Sequence, residues 1–429
     1  MVARTRSTAP RLNERSGATP ARVFSREPGR SIGPAAPGEN RLVHGDNLEA
    51  MQWLAAEGFA GKFRCAYVDP PYNSGRQFKE YDDALPDDEW CEAMRPRLEA
   101  VRALLAEDGA LFAEIDDTML SPLHRLLDET FGRANRVSSI TLVRSASTGH
   151  KAANRGPVNV SAFLLVYART KGGWRSNPLW RERGGYDAAY STFIPNRDAP
   201  ESEWRFEPLR AHGARSLGYA DARTARRALG SEGFAQRLER FALENAARVV
   251  RFAQPRVEAV SREAQAWIAR SKREPQATFR LARPGFKDMI LHGGNRVLFL
   301  ADKVRTGERG QPVLVEPLTN VWTDVPFQGI AREGGVVFSR NKKPERLLER
   351  ALSMATDEGD WVLDPFLGSG TTAAVAHKMG RRWVGIERGV QQFDGICAPR
   401  LARVASGEDK TGITRARKWA GGGGFGVYV

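Results

Sequence analysis

Trp361-Val362-Leu363-Asp364-Pro365-Phe366-Leu367-Gly368-Ser369-Gly370-Thr371-Thr372 reads as an apolar strand, a glycine-rich turn and the first turn of a helix. A second strand over residues 383–386 follows and closes on Glu387. Glycines at 368 and 370 allow the backbone to approach a ligand where a Cβ would collide, and an acid ending the next strand can accept hydrogen bonds from the two hydroxyls of a ribose. The turn is no P-loop, because Gly-Lys-Ser/Thr is missing and Thr371-Thr372 follows the glycine directly. A cationic ligand without phosphates suits a turn headed by Asp364. Taken alone, the pattern also fits a dinucleotide site or a plain strand-to-helix turn.

The same rhythm extends in both directions. Apolar periodicity predicts helices over 344–356 and 371–379. Upstream, Leu42-Val43 lead into His44-Gly45-Asp46-Asn47 and an amphipathic stretch at 48–56, again strand, turn and helix. Residues 63–68 form a strand that must stop at Asp69-Pro70-Pro71-Tyr72-Asn73, where proline cannot continue a central strand. Trp90, Met94, Leu98, Val101, Leu104 and Leu105 then recur at helical spacing behind Asp87, Asp88 and Glu89, acids at the end of a helix that favours negative charge. Gly109 punctuates. A strand at 110–115, a helix at 119–131 and strands at 139–143 and 162–167 complete the series. Such alternation predicts an α/β fold with a doubly wound, mostly parallel sheet.

Between the two α/β segments the chain changes character. Residues 171–320 form a basic insert in which arginines alternate with Trp174, Trp180, Trp204 and Phe206, and a long helical region is expected over 224–268, interrupted near Pro255. The reading is therefore a disordered basic arm at 1–40, a first half at 41–170, the insert at 171–320, and a second half at 321–429 ending in a glycine-rich tail whose only evident property is flexibility.

The 429 residues carry 65 Lys+Arg against 51 Asp+Glu, a formal charge of +14, which favours a polyanionic partner. Arginines of the insert suit phosphate contacts, whose affinity falls steeply with salt. No apolar stretch reaches the ~20 residues of a membrane span, so no membrane partner is expected. Three scattered cysteines provide no disulfide framework and fit a reducing, cytoplasmic setting, and six histidines without metal-ligand spacing indicate no metal site.

The turn Asp69-Pro70-Pro71-Tyr72 has a chemical reading as well as a structural one. The exocyclic amine of adenine or cytosine is a poor nucleophile because its lone pair is delocalised into the ring. Asp69 and the carbonyl of Pro70 can accept hydrogen bonds from that amine, favouring a tetrahedral nitrogen and stabilising the positive charge that grows on it. The prolines hold the acceptors rigid. Tyr72 offers a face on which a base swung out of the duplex can stack, worth ~1 to 3 kcal/mol. Methylation at cytosine C5 is disfavoured, since it requires a cysteine nucleophile and Cys65 sits inside a strand.

With these two motifs around a basic insert, the chain resembles the S-adenosylmethionine-dependent amino-group DNA methyltransferases of the β order, in which the catalytic motif precedes the cofactor motif. It is closer still to the modification subunits of type III restriction-modification systems. Gly45-Asp46-Asn47-Leu48-Glu49-Ala50, Asp69-Pro70-Pro71-Tyr72-Asn73-Ser74-Gly75, Ile115-Asp116-Asp117, Asn341-Lys342-Lys343-Pro344 and Gly421-Gly422-Gly423-Gly424-Phe425 all look like that group.

The resemblance implies a permuted, Rossmann-like methyltransferase domain with S-adenosyl-L-methionine as cofactor. It assigns Asp364, Phe366, Gly368, Gly370 and Thr371 to the donor pocket, Glu387 to the ribose, Asp46 to the adenine, and Lys343 with Pro344 to the methionine part. Asp69, Pro70, Pro71 and Tyr72 become the catalytic, target-base residues, and 171–320 the target-recognition region. Transfer to the N6 amine of adenine is expected from the Asp at the head of the motif, with N4 of cytosine or a non-catalytic DNA-binding component of a restriction-modification complex as alternatives. An NAD-dependent oxidoreductase leaves the Asp-Pro-Pro-Tyr motif unexplained. Implied partners are DNA, a second copy of the chain, and a restriction helicase-nuclease subunit.

Overall fold

The computed structural model describes residues 22–72, 86–145, 157–307, 310–338 and 342–429. The chain divides into two compact units, Met1–Pro178 with Thr319–Val429, and Leu179–Leu318.

The first unit is built on a nine-stranded sheet. Its strands are β1 (Asn40–His44), β2 (Phe63–Val68), β3 (Leu105–Ile115), β4 (Arg136–Val143), β5 (Ser161–Ala168), β6 (Val321–Trp322), β7 (Trp361–Asp364), β8 (Arg382–Glu387) and β9 (Phe425–Tyr428). Their spatial order is β6-β4-β5-β3-β2-β7-β8-β1-β9. All pairings are parallel except those that β5 makes with β3 and β4. Its longer helices are α1 (Asn47–Leu54), α2 (Asp87–Leu104), α3 (Leu120–Phe131), α4 (Glu345–Ala355), α5 (Thr371–Lys378) and α6 (Ala398–Ser406).

Central strands buried on both faces read as continuous apolar runs, and Cys65-Ala66-Tyr67-Val68 is such a run. Period-two alternation sorts these side chains. Ala66 and Val68 of β2, and Leu111, Ala113 and Ile115 of β3, join the core beneath α1, α2 and α3. Tyr67 and Glu114 therefore point to the opposite face, the one that receives α4. This alternation brings Glu114, the next-to-last residue of β3, to the chain segment just before α4.

Several expectations are corrected. β3 begins at Leu105, not at 110, and passes through Gly109. A Cβ on Gly109 would lie 2.6 Å from the carbonyl oxygen of Phe63, where the β2–β3 register shifts, so this glycine admits a bulge instead of ending the element. Of the arm expected to be disordered, residues 1–21 lie outside the described residues, but 22–40 are ordered. Phe24 is buried against Trp53, with ring centroids 5.3 Å apart. Ser25 and Val429 exchange backbone hydrogen bonds of 3.0 and 3.1 Å, and Ile32 and Phe425 exchange two of 2.9 and 3.0 Å. The glycine-rich tail is likewise a packed element, since β9 runs parallel to β1. A Cβ on Gly424 would stand 2.1 Å from the Ile32 carbonyl oxygen, which accounts for glycine there better than flexibility does.

The second unit holds a six-stranded and a three-stranded sheet. The helical region expected over 224–268 is instead a helix (Ala222–Glu244), a strand (Val249–Ala253) and a helix (Arg262–Arg273). Val249–Ala253 pairs antiparallel with Asn295–Phe299, and this distant partner outweighs the local helical pattern. The two ends of the unit run side by side: Trp180 stands opposite Pro317, and Leu318 N donates to Leu179 O at 2.9 Å. Among the described residues, no helix is long and apolar enough to cross a membrane.

Candidate active site

β2 and β7 are adjacent and parallel, with Leu363 opposite Ala66. Their carboxyl ends therefore deliver Asp69 and Asp364 to one edge of the sheet. β8 lies beside β7 and β1 beside β8, with His44 opposite Glu387. The same edge thus also receives Glu387 and the Asp46 turn. Ligand crevices of open α/β sheets form at this carboxyl edge.

On the glycine-turn side, Asp364 is buried and its Oδ1 accepts from Phe366 N at 2.9 Å. Burial pushes its carboxyl up to about 7, against the pull of the Thr372 hydroxyl and the Phe366 amide, while Asp69 and Glu387 add to the rise. Gly368 and Gly370 have φ of 56° and 76°, backbone that L side chains rarely adopt. Glu387 accepts from Gly368 N and from Gly389 N, both at 2.8 Å, which fixes its carboxylate under the turn. Burial raises its pKa, and the amides of Gly389, Gly368 and Arg388 hold it down. Asp46 caps α1 by accepting from Leu48 N at 2.9 Å and pairs with Arg97 at 2.8 Å. Asn47 ties this cap to the glycine turn by donating to Pro365 O at 2.9 Å. Phe366 packs partly buried against the core.

On the Asp-Pro-Pro-Tyr side, Trp90 of α2 donates to Pro71 O at 2.9 Å and anchors the motif. Asn73, Ser74, Gly75 and Asn341 lie outside the described residues. Tyr72 donates to Glu114 Oε1 at 3.2 Å, and Tyr67 donates to Glu114 Oε2 at 2.6 Å. Lys343 Nζ donates to Tyr72 Oη at 2.7 Å and forms ion pairs with Asp69 Oδ1 at 2.9 Å and Glu114 Oε1 at 3.2 Å. Burial pushes the Asp69 carboxyl up to about 6; the Lys343 ammonium opposes this and Glu114 adds to it. Arg144 lies 6.0 Å from the Tyr72 ring centroid. Cys65 is buried with its thiol pKa raised, chiefly by that burial, so it provides no thiolate.

Two of the expected donor-site residues are engaged by other side chains. Lys343, which the resemblance sets beside the methionine part, turns its ammonium onto Asp69 and Tyr72, and only its carbonyl meets the glycine-turn helix, accepting from Thr371 Oγ1 at 3.4 Å. Thr371 is buried, its hydroxyl accepting from Arg400 Nη1 at 2.7 Å, so it props the turn from behind. Pro344 is the N-cap of α4.

Sequence reasoning missed Glu114, whose signal was a lone acid inside the apolar run 110–115. It also missed a fully buried ionic cluster behind the turn. Glu345 pairs with Lys378 at 2.8 Å and Arg400 at 2.9 Å, Lys378 pairs with Asp409 at 2.7 Å, and Arg400 donates to Ser369 O at 3.0 Å.

The family model N6_N4_Mtase, described as DNA methylase, matches residues 63–396. A protein named "Probable type III restriction-modification enzyme HindVI Mod subunit", from Haemophilus influenzae, is 29% identical over 414 residues, covering 92% of this chain and 54% of that one. The type III restriction-modification enzyme StyLTI Mod subunit of Salmonella typhimurium is 25% identical over 423 residues, covering 86% of this chain and 57% of that one. The chain thus spans about half the length of the curated relatives it matches. Among solved structures, the cytosine-N4-specific PvuII DNA methyltransferase aligns with a TM-score of 0.41 at 13% identity, covering 84% of this chain and 86% of that one. The topology described above stands on its own strand order and not on this likeness.

Proposed function

Because the chain belongs to the N6_N4_Mtase family of DNA methylases, whose model spans residues 63–396, we propose that it methylates the N6 amine of adenine in a flipped nucleotide of DNA, with S-adenosylmethionine as donor. The observation that carries this reading is the pairing of β2 with β7, which sets Asp69 and Asp364 at neighbouring strand ends. The residues present fit the donor. Asp364 is a buried carboxylate suited to a cation, the turn has two glycines at positive φ, and Glu387 retains lone pairs for ribose hydroxyls. When bound, S-adenosylmethionine would supply an electrophilic methyl group whose bond to sulfur breaks as the new N–C bond forms, with S-adenosylhomocysteine as the leaving group.

Asp69 and the Pro70 carbonyl accept the two amine hydrogens, draw the nitrogen out of conjugation, and stabilise the charge that develops on it. The Asp69 carboxylate then takes the proton that the methylated nitrogen loses. Tyr72 stacks on the extruded base. No covalent enzyme intermediate is required. The insert, residues 171–320, is the target-recognition region in this reading, and the protein acts in the cytoplasm. The Mod-subunit names of the relatives support a restriction subunit as an assembly partner, and a second copy of the chain is a further partner in this reading.

Sequencing, with modified-base detection, of DNA from cells that express the protein tests the reading. N6-methyladenine at one recurring sequence is expected, and Asp69→Ala should lower methylation by at least ~100-fold, the cost of deleting a preorganised transition-state partner. N4-methylcytosine at the recurring sequence would correct the base. Unmodified DNA, or a fully active Asp69→Ala protein, would overturn the proposal.

A further inference from the structure

We propose that Glu114 is a positioning residue for amine methylation: it shares the Lys343 ammonium with Asp69, so that this cation orients the acceptor without neutralising it. The inference rests on the role given to Asp69 above and extends it to a residue outside the motif.

Among the described residues, Lys343 Nζ donates to Tyr72 Oη at 2.7 Å and lies at ion-pair distance from Asp69 Oδ1, 2.9 Å, and Glu114 Oε1, 3.2 Å. The hydroxyls close the circuit with consistent directions. Tyr72 accepts from Lys343 and donates to Glu114, while Tyr67 donates to the other oxygen of Glu114 at 2.6 Å. Glu114 is fully buried and the Lys343 side chain nearly so. The arrangement therefore sets two acidic side chains against one lysine under the face where the amine would bind.

Among the described residues, Asp364 at the end of β7 and Arg144 beyond the Tyr72 ring also interact electrostatically with Asp69. Neither takes the place of Glu114 beside Lys343. Removing the Glu114 charge would leave the whole ammonium to Asp69, a tighter pair and a weaker acceptor. Removing the Lys343 charge would leave two carboxylates facing each other, and one would hold a proton near neutrality. Consistent with this geometry, Lys343 acts to lower the pKa of Asp69 and Glu114 acts to raise it.

Opposite shifts from two substitutions are what a merely structural role would not produce. Single-turnover methylation by the full chain, at saturating donor and DNA from about pH 5 to about pH 8, reads the acid limb set by Asp69. In wild type the rate should fall as pH drops through about 6, where the carboxylate takes up its proton. Glu114→Gln, which keeps the shape and removes the charge, should move that limb to lower pH, and Lys343→Met should move it to higher pH. Melting curves and S-adenosylhomocysteine binding establish that each variant is folded. A folded Glu114→Gln whose limb stays put, moves upward, or is lost with all activity overturns the inference. Should that variant fail to fold, the Lys343→Met limb decides, and an unmoved or lowered one is fatal. A wild-type protein that methylates no DNA at any pH sinks the reading of Asp69 instead.

Discussion

Asp364 is a carboxylate that the fold withdraws from water and, among the described residues, leaves without an ion-pair partner. Its folded pKa of about 7 exceeds the ordinary value of 3.8, so between those limits the folded state binds the extra proton. Stability from this group is present below the ordinary value and is lost as pH rises through about 7. The ligand-free protein should accordingly melt lower at pH 8 than at pH 5, and Asp364→Asn should reduce that difference while abolishing stabilisation by S-adenosylhomocysteine. Melting curves at the two pH values, with and without S-adenosylhomocysteine, check both outcomes. Asp69, Tyr72 and Glu387 were legible because prolines, or a glycine turn, mark the strand ends that carry them. Glu114 was not, since a sequence shows an acid among apolar residues but not which face of the sheet receives it, nor that a lysine more than two hundred positions later waits there.

At the level of elements, α4, α5, α6 and the segment after α6 are joined by side chains that no surface pattern betrays. Glu345, Lys378, Arg400 and Asp409 lie side by side with no solvent exposure, and Arg400 passes the constraint to the glycine turn through the carbonyl of Ser369. Charges so enclosed are tolerated only in balance. Lys378→Met leaves two buried carboxylates against one guanidinium and should cost about 3–5 kcal/mol, seen as a lower urea midpoint. Helices α1 to α5 and strands β1, β2, β7 and β8 were readable within a residue or two, because each is long or sharply punctuated. The strand Val249–Ala253 was not, since its pairing partner Asn295–Phe299 lies over forty residues away and a local window cannot weigh it. The ordered segment 22–40 escaped for the same reason: its partner is the opposite end of the chain.

For the whole molecule, the strand order means that neither α/β segment can close the sheet alone. β2 and β3 come from one segment and β7 and β8 from the other, and β1 is flanked by β8 and β9, both from the far end. The motif order alone implied this interleaving only through resemblance, whereas the registers make it physical. The unit Leu179–Leu318 stands outside that weave, and its first and last residues are hydrogen-bonded to each other. A segment whose ends meet is topologically a cassette: lifted out, it leaves a gap that a few residues bridge, with no strand of the nine-stranded sheet cut. Joining Pro178 to Thr319 through a short Gly/Ser linker should yield a protein that still melts cooperatively and is still stabilised by S-adenosylhomocysteine, but no longer methylates DNA. Under the function proposed above, the same geometry would let recombination exchange the part that reads DNA without disturbing the part that methylates it.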